Sequence, residues 1–309
     1  MHSWTFDDMP DLSGTTAVVT GANSGIGAVT ALVLARSGAR TILACRDPER
    51  GARALQAVRR AAPGSDTRLV GLDLADLSSV AEAAGHIAKE TDGSLDLLVN
   101  NAGVMALPLL RTADGFEMQF GTNHLGHFAL THHLLPLLGT GGMSRVVTVS
   151  SLAHRIGRID FGNLDAARGY DKWRAYAQSK LANLLFTAEL QRRADEAGRP
   201  VLALAAHPGL SATELGQAGP RLAGRTWAAK LERATRLYTQ AASAGALPTL
   251  YAATLPTALG GSYYGPRLLG GTRGGPGPAR MSARAQDMDT ARRLWDESAR
   301  LTGTPADAI

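Results

Sequence analysis

From Thr15 onward the chain repeats one pattern: a short run rich in β-branched residues or leucine, then a longer segment with apolar residues at helical spacing. The runs are Ala17–Thr20, Thr41–Leu43, Arg68–Val70, Leu95–Val99, Arg145–Val149 and Val201–Ala205. They lack the polar alternation of a strand with one wet face, so both faces are expected to be buried, as in a parallel sheet covered by helices. The segments between them, Ile26–Ser37, Pro48–Ala61, Ser79–Glu90, Gly115–Leu138 and Trp173–Glu196, supply the helices, with Gly38 and Gly198 closing the first and last. This alternation predicts an α/β fold built on a doubly wound parallel sheet, with ligands at the carboxyl ends of the strands.

Two stretches break the rhythm. Arg158–Trp173 reads as a surface loop, and Gly265–Pro278, dense in Gly and Pro, as irregular chain. A last helix is expected over Met288–Leu301, with Ala291, Leu294, Trp295 and Leu301 on its apolar face. The length of 309 residues fits one α/β domain, and 45% hydrophobic against 19% charged residues excludes a disordered chain.

The net charge of +5 could serve nucleic acid or an anionic surface, but the basic residues are scattered, and no zinc-finger or RNA-binding spacing accompanies them. A pocket for a phosphorylated cofactor is the simpler reading, and no nucleic-acid partner is expected. Cys45 is the only cysteine, which rules out an intramolecular disulfide and speaks against a cysteine-ligated metal; no metal site is expected. Met1–Leu12 carries Asp7, Asp8 and Asp11 without an apolar run, so it reads as neither secretory signal nor anchor, and no stretch reaches the roughly 20 apolar residues of a spanning helix. A cytoplasmic location is the expectation.

After the first strand comes Thr20-Gly21-Ala22-Asn23-Ser24-Gly25-Ile26-Gly27, and then a helix. Glycines there let backbone approach a pyrophosphate, and the helix start offers free N–H groups. This predicts a Rossmann-type dinucleotide site within a single domain, although the G-x-x-x-G-x-G spacing also suits an ordinary strand-to-helix turn. At the end of the second strand, where such folds meet the adenosine ribose, stand Cys45 and Arg46. Arg46 can pair with a 2′-phosphate through two charge-assisted bonds, which favours NADP(H) over NAD(H). The alternative is a solvated Arg46 with Asp47 taking the ribose hydroxyl.

Tyr176-Ala177-Gln178-Ser179-Lys180 sets a tyrosine and a lysine at i and i+4, on one helical face. Phenol titrates near pH 10 and needs a nearby cation to act as a base at neutral pH; Lys180 is that cation. A pair at this spacing is usually surface decoration. Here an upstream strand also ends in Val149-Ser150-Ser151, and the preceding helical segment carries Asn123 in Thr122-Asn123-His124-Leu125-Gly126-His127.

With these segments assembled, the chain resembles the short-chain dehydrogenase/reductases, and within them the bacterial relatives of the retinol dehydrogenases and of the WW-domain-containing oxidoreductase. The matching segments are Thr20–Gly27, Ala44–Asp47, Asp73-Leu74, Asn100–Gly103, Thr122–His127, Val149–His154, Tyr176–Lys180, His207–Gly209, Tyr263–Pro266 and Ala291–Trp295, in the family's order. The resemblance implies a tetrad. Ser151 would bond the substrate oxygen, Tyr176 would give or take its proton, Lys180 would hold the nicotinamide ribose and lower the tyrosine pKa, and Asn123 would position a relay water. Ser150 is the runner-up serine, or it only finishes the strand.

By the same resemblance, Gly21, Asn23, Ser24, Gly25, Ile26 and Gly27 would cradle the pyrophosphate. Asp73 and Leu74 would lie by the adenine, Asn101, Ala102 and Gly103 along the adenosine side and nicotinamide ribose, and Pro208, Gly209 and Thr213 at the nicotinamide. Gly103 and Gly209 have equally good readings as turn residues. Residues of about 12–150 would form the cofactor part and 151–309 the catalytic and substrate part, with a lid over 210–240.

Between Ser151 and Tyr176 lie 24 residues, a longer gap than in many short-chain reductases and one typical of the retinol-dehydrogenase-like group. His154, at the start of that gap, is read as a substrate contact or as a solvated or structural residue. In the lid, Trp227, Leu231, Ala234 and Tyr238 share a helical stripe that could cover a lipophilic substrate, pack on the core or meet a membrane.

The function implied is hydride transfer between nicotinamide and a small-molecule carbonyl or alcohol substrate, lipophilic by the resemblance to retinol dehydrogenases, with Tyr176 as general acid and base. Two rivals are a redox sensor or scaffold that binds cofactor without turnover, and a sugar-nucleotide epimerase or dehydratase, against which the glycine spacing and the lack of a larger substrate domain count. Self-association through the long helices is a further expectation, as in many family members.

Overall fold

The computed structural model describes residues 3–210 and 241–307. Its centre is an eight-stranded sheet in the order β3-β2-β1-β4-β5-β6-β7-β8. The strands are β1 (Thr16–Thr20), β2 (Arg40–Cys45), β3 (Thr67–Gly71), β4 (Leu97–Asn100), β5 (Ser144–Val149), β6 (Val201–Ala206), β7 (Tyr263–Leu268) and β8 (Arg273–Pro278). All neighbours run parallel except the β7–β8 pair. The order reverses between β1 and β4, and there the two halves of the winding diverge and leave a crevice at the strands' carboxyl ends.

The alternation of side chains along each strand divides the core between the two faces. Val18 and Ile42 join the layer with Phe128, Phe186 and Trp295, whereas Ala17, Val19 and Leu43 join the layer with Leu34 and Leu250. All five residues of β1 are buried, as its uninterrupted apolar run predicts. In β3 the expectation of two buried faces fails at Arg68, which is exposed because β3 is the edge strand.

The helices are α1 (Gly25–Arg36), α2 (Pro48–Ala61), α3 (Leu77–Glu90), α4 (Gly126–Leu134), α5 (Lys172–Glu196), α6 (Ala242–Thr254) and α7 (Met288–Thr302). Capping explains several starts. The carboxylates of Asp47, Asp76, Asp171 and Asp287 accept backbone N–H groups at the starts of α2, α3, α5 and α7.

Two sequence expectations are corrected. The single helix read over Gly115–Leu138 is broken into a turn at Met118–Phe120, a π-helical turn over Gly121–Leu125, and α4. Periodicity alone does not register one inserted residue. Gly265–Pro278 is not irregular but forms most of the β7–β8 hairpin. Pro276 and Pro278 are tolerated because β8 is an edge strand, and Pro266 lies on β7 beyond Tyr264, where the pairing with β6 ends.

Helix α7 returns across α5 and α4. Trp295 stacks on Phe186 at 5.8 Å between ring centroids and meets Phe128 edge-on at 4.9 Å. Self-association through α4 and α5 would therefore be confined to the parts of these helices that α7 leaves uncovered. The proposed lid, with Trp227, Leu231, Ala234 and Tyr238, lies outside the described residues, as does Thr213.

Candidate active site

The carboxyl end of β1 leads into Gly21, at φ +66, and the glycine turn is packed too tightly for side chains. A Cβ on Gly27 would lie 2.4 Å from both the Gly21 carbonyl oxygen and Asn101 Nδ2, and one on Gly21 would come within 3.0 Å of Ala102. Ser24, the N-cap of α1, makes no side-chain cap bond, so the first N–H groups of the helix face the crevice without a capping acceptor. Glycine backbone, open N–H groups and the positive end of the helix dipole together suit a diphosphate. Asn23, Gly25 and Ile26 complete this turn, with Ile26 anchored in the core.

Asn101 closes the turn from β4. Its Nδ2 donates to the Thr20 carbonyl at 2.8 Å, while the Asn101 and Ala102 N–H groups both donate to Thr20 Oγ1 at 2.9 Å. At the end of β2, Arg46 is exposed and has no ion-pair partner among the described residues. Asp47 is engaged as the cap of α2, accepting the Arg50 N–H at 2.9 Å. Burial pushes the Cys45 thiol up to about 11, so it stays a protonated packing group. Asp73 follows β3, with Oδ1 accepting the Ala75 N–H, and Leu74 packs its backbone carbonyl against Gly126.

Across the crevice, β5 and α5 bring Ser151, Tyr176 and Lys180 together. Tyr176 is 7% exposed, and the Ser151 hydroxyl lies close enough to its phenol to influence it. Lys180 Nζ lies 5.8 Å from the centre of the Tyr176 ring and donates to the Val149 carbonyl at 3.1 Å. Burial drives the two groups in opposite directions, since it disfavours whichever form is charged. It raises the Tyr176 phenol, opposed by the neighbouring Ser151 hydroxyl, and it lowers the Lys180 ammonium to about 8. Lys180, expected from the sequence to lower the phenol, is not among the groups that shift it here; burial is the largest influence.

Ser150 and Ser151 have different surroundings. Ser150 is buried and its hydroxyl donates to the Lys180 carbonyl at 2.7 Å, so it braces α5, whereas Ser151 faces Tyr176. Asn123 sits in the π-helical turn with its side chain fully used. Its Oδ1 accepts the Val104 N–H at 2.7 Å, and its Nδ2 donates to the Val104 carbonyl and to Ser179 Oγ, both at 2.9 Å. A Cβ on Gly103 would meet Asn123 Oδ1 at 3.0 Å and Lys180 Nζ at 3.5 Å, which gives that glycine a steric reason beyond turn formation. Gly209 likewise has φ +70 and no room for a Cβ, which would meet the Thr272 carbonyl oxygen at 2.4 Å; this pins Pro208-Gly209 to the β7–β8 hairpin.

His154 is wholly buried. Its Nδ1–H donates to the Ser151 carbonyl at 2.7 Å and its Nε2 accepts the Ser282 N–H at 3.3 Å, which settles the choice between substrate contact and support in favour of support. Two residues around the site carried no role in the sequence reading: Thr20 and His127. A threonine closing the strand before the glycine turn, and a histidine one helical turn after Asn123, were the available signals.

His124, His127 and His207 are buried and held neutral, at about 3, 4 and 4 respectively, mainly by desolvation. In the unfolded chain each would titrate near 6.5. Between about pH 6.5 and 4 the unfolded chain therefore binds protons that the folded one refuses, and stability falls as the pH drops, by roughly 1.4 kcal/mol per pH unit per histidine. Thermal melts should show Tm declining from pH 7 to 4.5; a flat Tm would contradict their neutral burial.

The parallel sheet, the glycine cradle and the serine, tyrosine and lysine at one sheet edge define the class: an oxidoreductase that uses a nicotinamide nucleotide. The sequence model of the short chain dehydrogenase family matches residues 15–221, and the chain belongs to that family. It is 43% identical to human retinol dehydrogenase 13 over 302 residues, covering 96% of this chain and 87% of the relative. It is 42% identical to human retinol dehydrogenase 11 over 299 residues, covering 96% and 88%. The crystal structure of an uncharacterized protein from Mycobacterium paratuberculosis superposes with a TM-score of 0.80 at 45% identity, covering 98% of both chains. Within the family this chain is retinol-dehydrogenase-like. No helix among the described residues is long and apolar enough to cross a membrane.

Proposed function

We propose that the protein is an NADP(H)-dependent reductase of lipophilic aldehydes or ketones, able to run in reverse on the alcohols, with Tyr176 as general acid and base. The observation that carries this reading is the meeting of Ser151, Tyr176 and Lys180 at the sheet edge that also holds the glycine cradle. Bound NADPH would supply the hydride. Tyr176, kept protonated at neutral pH by burial, holds the proton that the nascent alkoxide needs. Ser151 fixes the carbonyl oxygen within reach of that proton, and the Lys180 ammonium favours the phenolate left behind. Asn123 acts on the frame: it clamps Val104 and Ser179, and through them the walls on either side of Lys180.

Arg46 supports the choice of NADP(H). It stands exposed at the end of β2 while Asp47, its competitor for the ribose, is occupied as a helix cap. A charge-assisted pair contributes about 1.5–3 kcal/mol. Arg46→Ala should therefore weaken NADPH by about ten- to a hundredfold and leave NADH within about twofold. Parallel titrations at fixed salt check this, and an unchanged preference would remove Arg46 as the discriminator.

The lipophilic substrate class rests on the site's rim and on the relatives' names. Ile156, Leu268 and Leu269 are 75%, 61% and 75% exposed, and Arg155 donates to the Gly270 carbonyl, tying the turn after Ser151 to the hairpin that carries the leucines. A screen of aldehydes of increasing chain length with NADPH tests it: kcat/KM should rise with each added methylene, by up to about fourfold at full burial. A flat profile would point to small polar carbonyls. Cofactor binding without turnover of any carbonyl would favour the sensor or scaffold reading.

A further inference from the structure

His127, on the first turn of α4, lies 1% exposed between the two halves of the site, and both ring nitrogens are committed. Nδ1 faces the Asn123 carbonyl at 3.0 Å, an acceptor only, so Nδ1 carries the proton. Nε2 then has a lone pair, and it faces Thr20 Oγ1 at 2.9 Å. The threonine hydroxyl donates there rather than to the more distant Val99 carbonyl at 3.3 Å. Its two lone pairs are taken by the N–H groups of Asn101 and Ala102.

Every donor and acceptor in this chain is matched under one tautomer, and a matched buried network holds a single arrangement. The chain starts at the π-helical turn that carries Asn123 and ends on the Asn101–Gly103 strap that closes the glycine cradle. The turn's geometry depends on it. In a π-helical turn the carbonyls are shifted out of the α-helical ladder, and the Nδ1–H supplies a side-chain donor at Asn123 where the register changes.

We propose that His127 is a positioning residue that locks the catalytic turn to the cofactor strap, with its Nδ1 side serving hydride transfer and its Nε2 side serving cofactor binding. The inference rests on the function proposed above. It also assigns separate consequences to the two faces of one ring, which a residue that merely fills space does not have.

Two substitutions separate the faces. In His127→Asn the side-chain amide can stand where Nδ1 stood and keep the bond to the Asn123 carbonyl, while the contact with Thr20 is lost. In His127→Gln the amide oxygen can reach the Nε2 position and accept from Thr20, while the Asn123 contact is lost. His127→Asn is expected to raise the NADPH Kd about tenfold with single-turnover hydride transfer at saturating NADPH within about threefold of wild type. His127→Gln is expected to do the reverse: Kd within about threefold and transfer slowed about tenfold.

Thr20→Val breaks the same contact from the other side and also removes the acceptor of the Asn101 and Ala102 N–H groups, so it should raise the NADPH Kd at least as much as His127→Asn, which keeps the test available if a histidine variant does not fold. Kd is read from nicotinamide fluorescence, transfer from stopped-flow, and folding from Tm. Folded histidine variants that change the same parameter together, or change neither, would overturn the proposal while the wild type still binds and turns over. A wild-type protein that binds no nicotinamide nucleotide would overturn the function beneath it as well.

Discussion

Tyr176→Phe is expected to lower kcat by about three orders of magnitude while NADPH binding stays within about threefold. The substitution removes one oxygen from a ring that is 7% exposed, so packing is kept and only the proton donor is lost. Among the described residues, no other group at the site is placed to replace it. Lys180 Nζ is spent on the Val149 carbonyl, Ser150 donates to the Lys180 carbonyl, and His154 directs its Nδ1–H at the Ser151 carbonyl. Steady-state kinetics on the best aldehyde, with fluorescence titration of NADPH, separates the two effects. Turnover within tenfold of wild type would mean that some other acid delivers the proton.

Gly27→Ala is expected to weaken NADPH by about a hundredfold with little change in the far-UV spectrum. The new Cβ would stand 2.4 Å from the Gly21 carbonyl oxygen and from Asn101 Nδ2. Neither can step aside at little cost, since one is backbone and the other is held by the Thr20 carbonyl at 2.8 Å. Relief has to come from opening the turn. Overpacking of about 1–3 kcal/mol then falls on the groups that cradle the diphosphate. Wild-type affinity in a folded Gly27→Ala protein would dissociate the glycine turn from cofactor binding.

Much of this architecture was legible in the amino-acid sequence. The unbroken apolar runs of β1 and β5 announced a sheet buried on both faces, and the spacing of Tyr176 and Lys180 put both on one face of α5. Features that depend on a single residue of register were not legible. The π-helical turn at Asn123 looks like plain helix, because periodicity averages over several turns. The β7–β8 hairpin was hidden because Gly and Pro signal irregular chain wherever edge position is unknown. Partner choice among polar side chains was equally hidden: adjacent Ser150 and Ser151 are alike in sequence, and only the placement of α5 assigns one to the Lys180 carbonyl and the other to Tyr176. His127 lies in the same category, since its two partners sit four residues before it in the chain and across the sheet on β1.

The central claim is that this site passes a hydride from a nicotinamide nucleotide to a carbonyl carbon. The most direct test is to incubate the protein with a long-chain aldehyde and NADPH carrying deuterium at the transferable position of the nicotinamide ring, and to analyse the product alcohol by mass spectrometry. The account predicts one deuterium bound to the carbinol carbon, from one face of the ring only, and its absence with Tyr176→Phe. Aldehyde left unreduced, or alcohol formed without deuterium on the carbinol carbon, by protein saturated with the deuterated NADPH would contradict it.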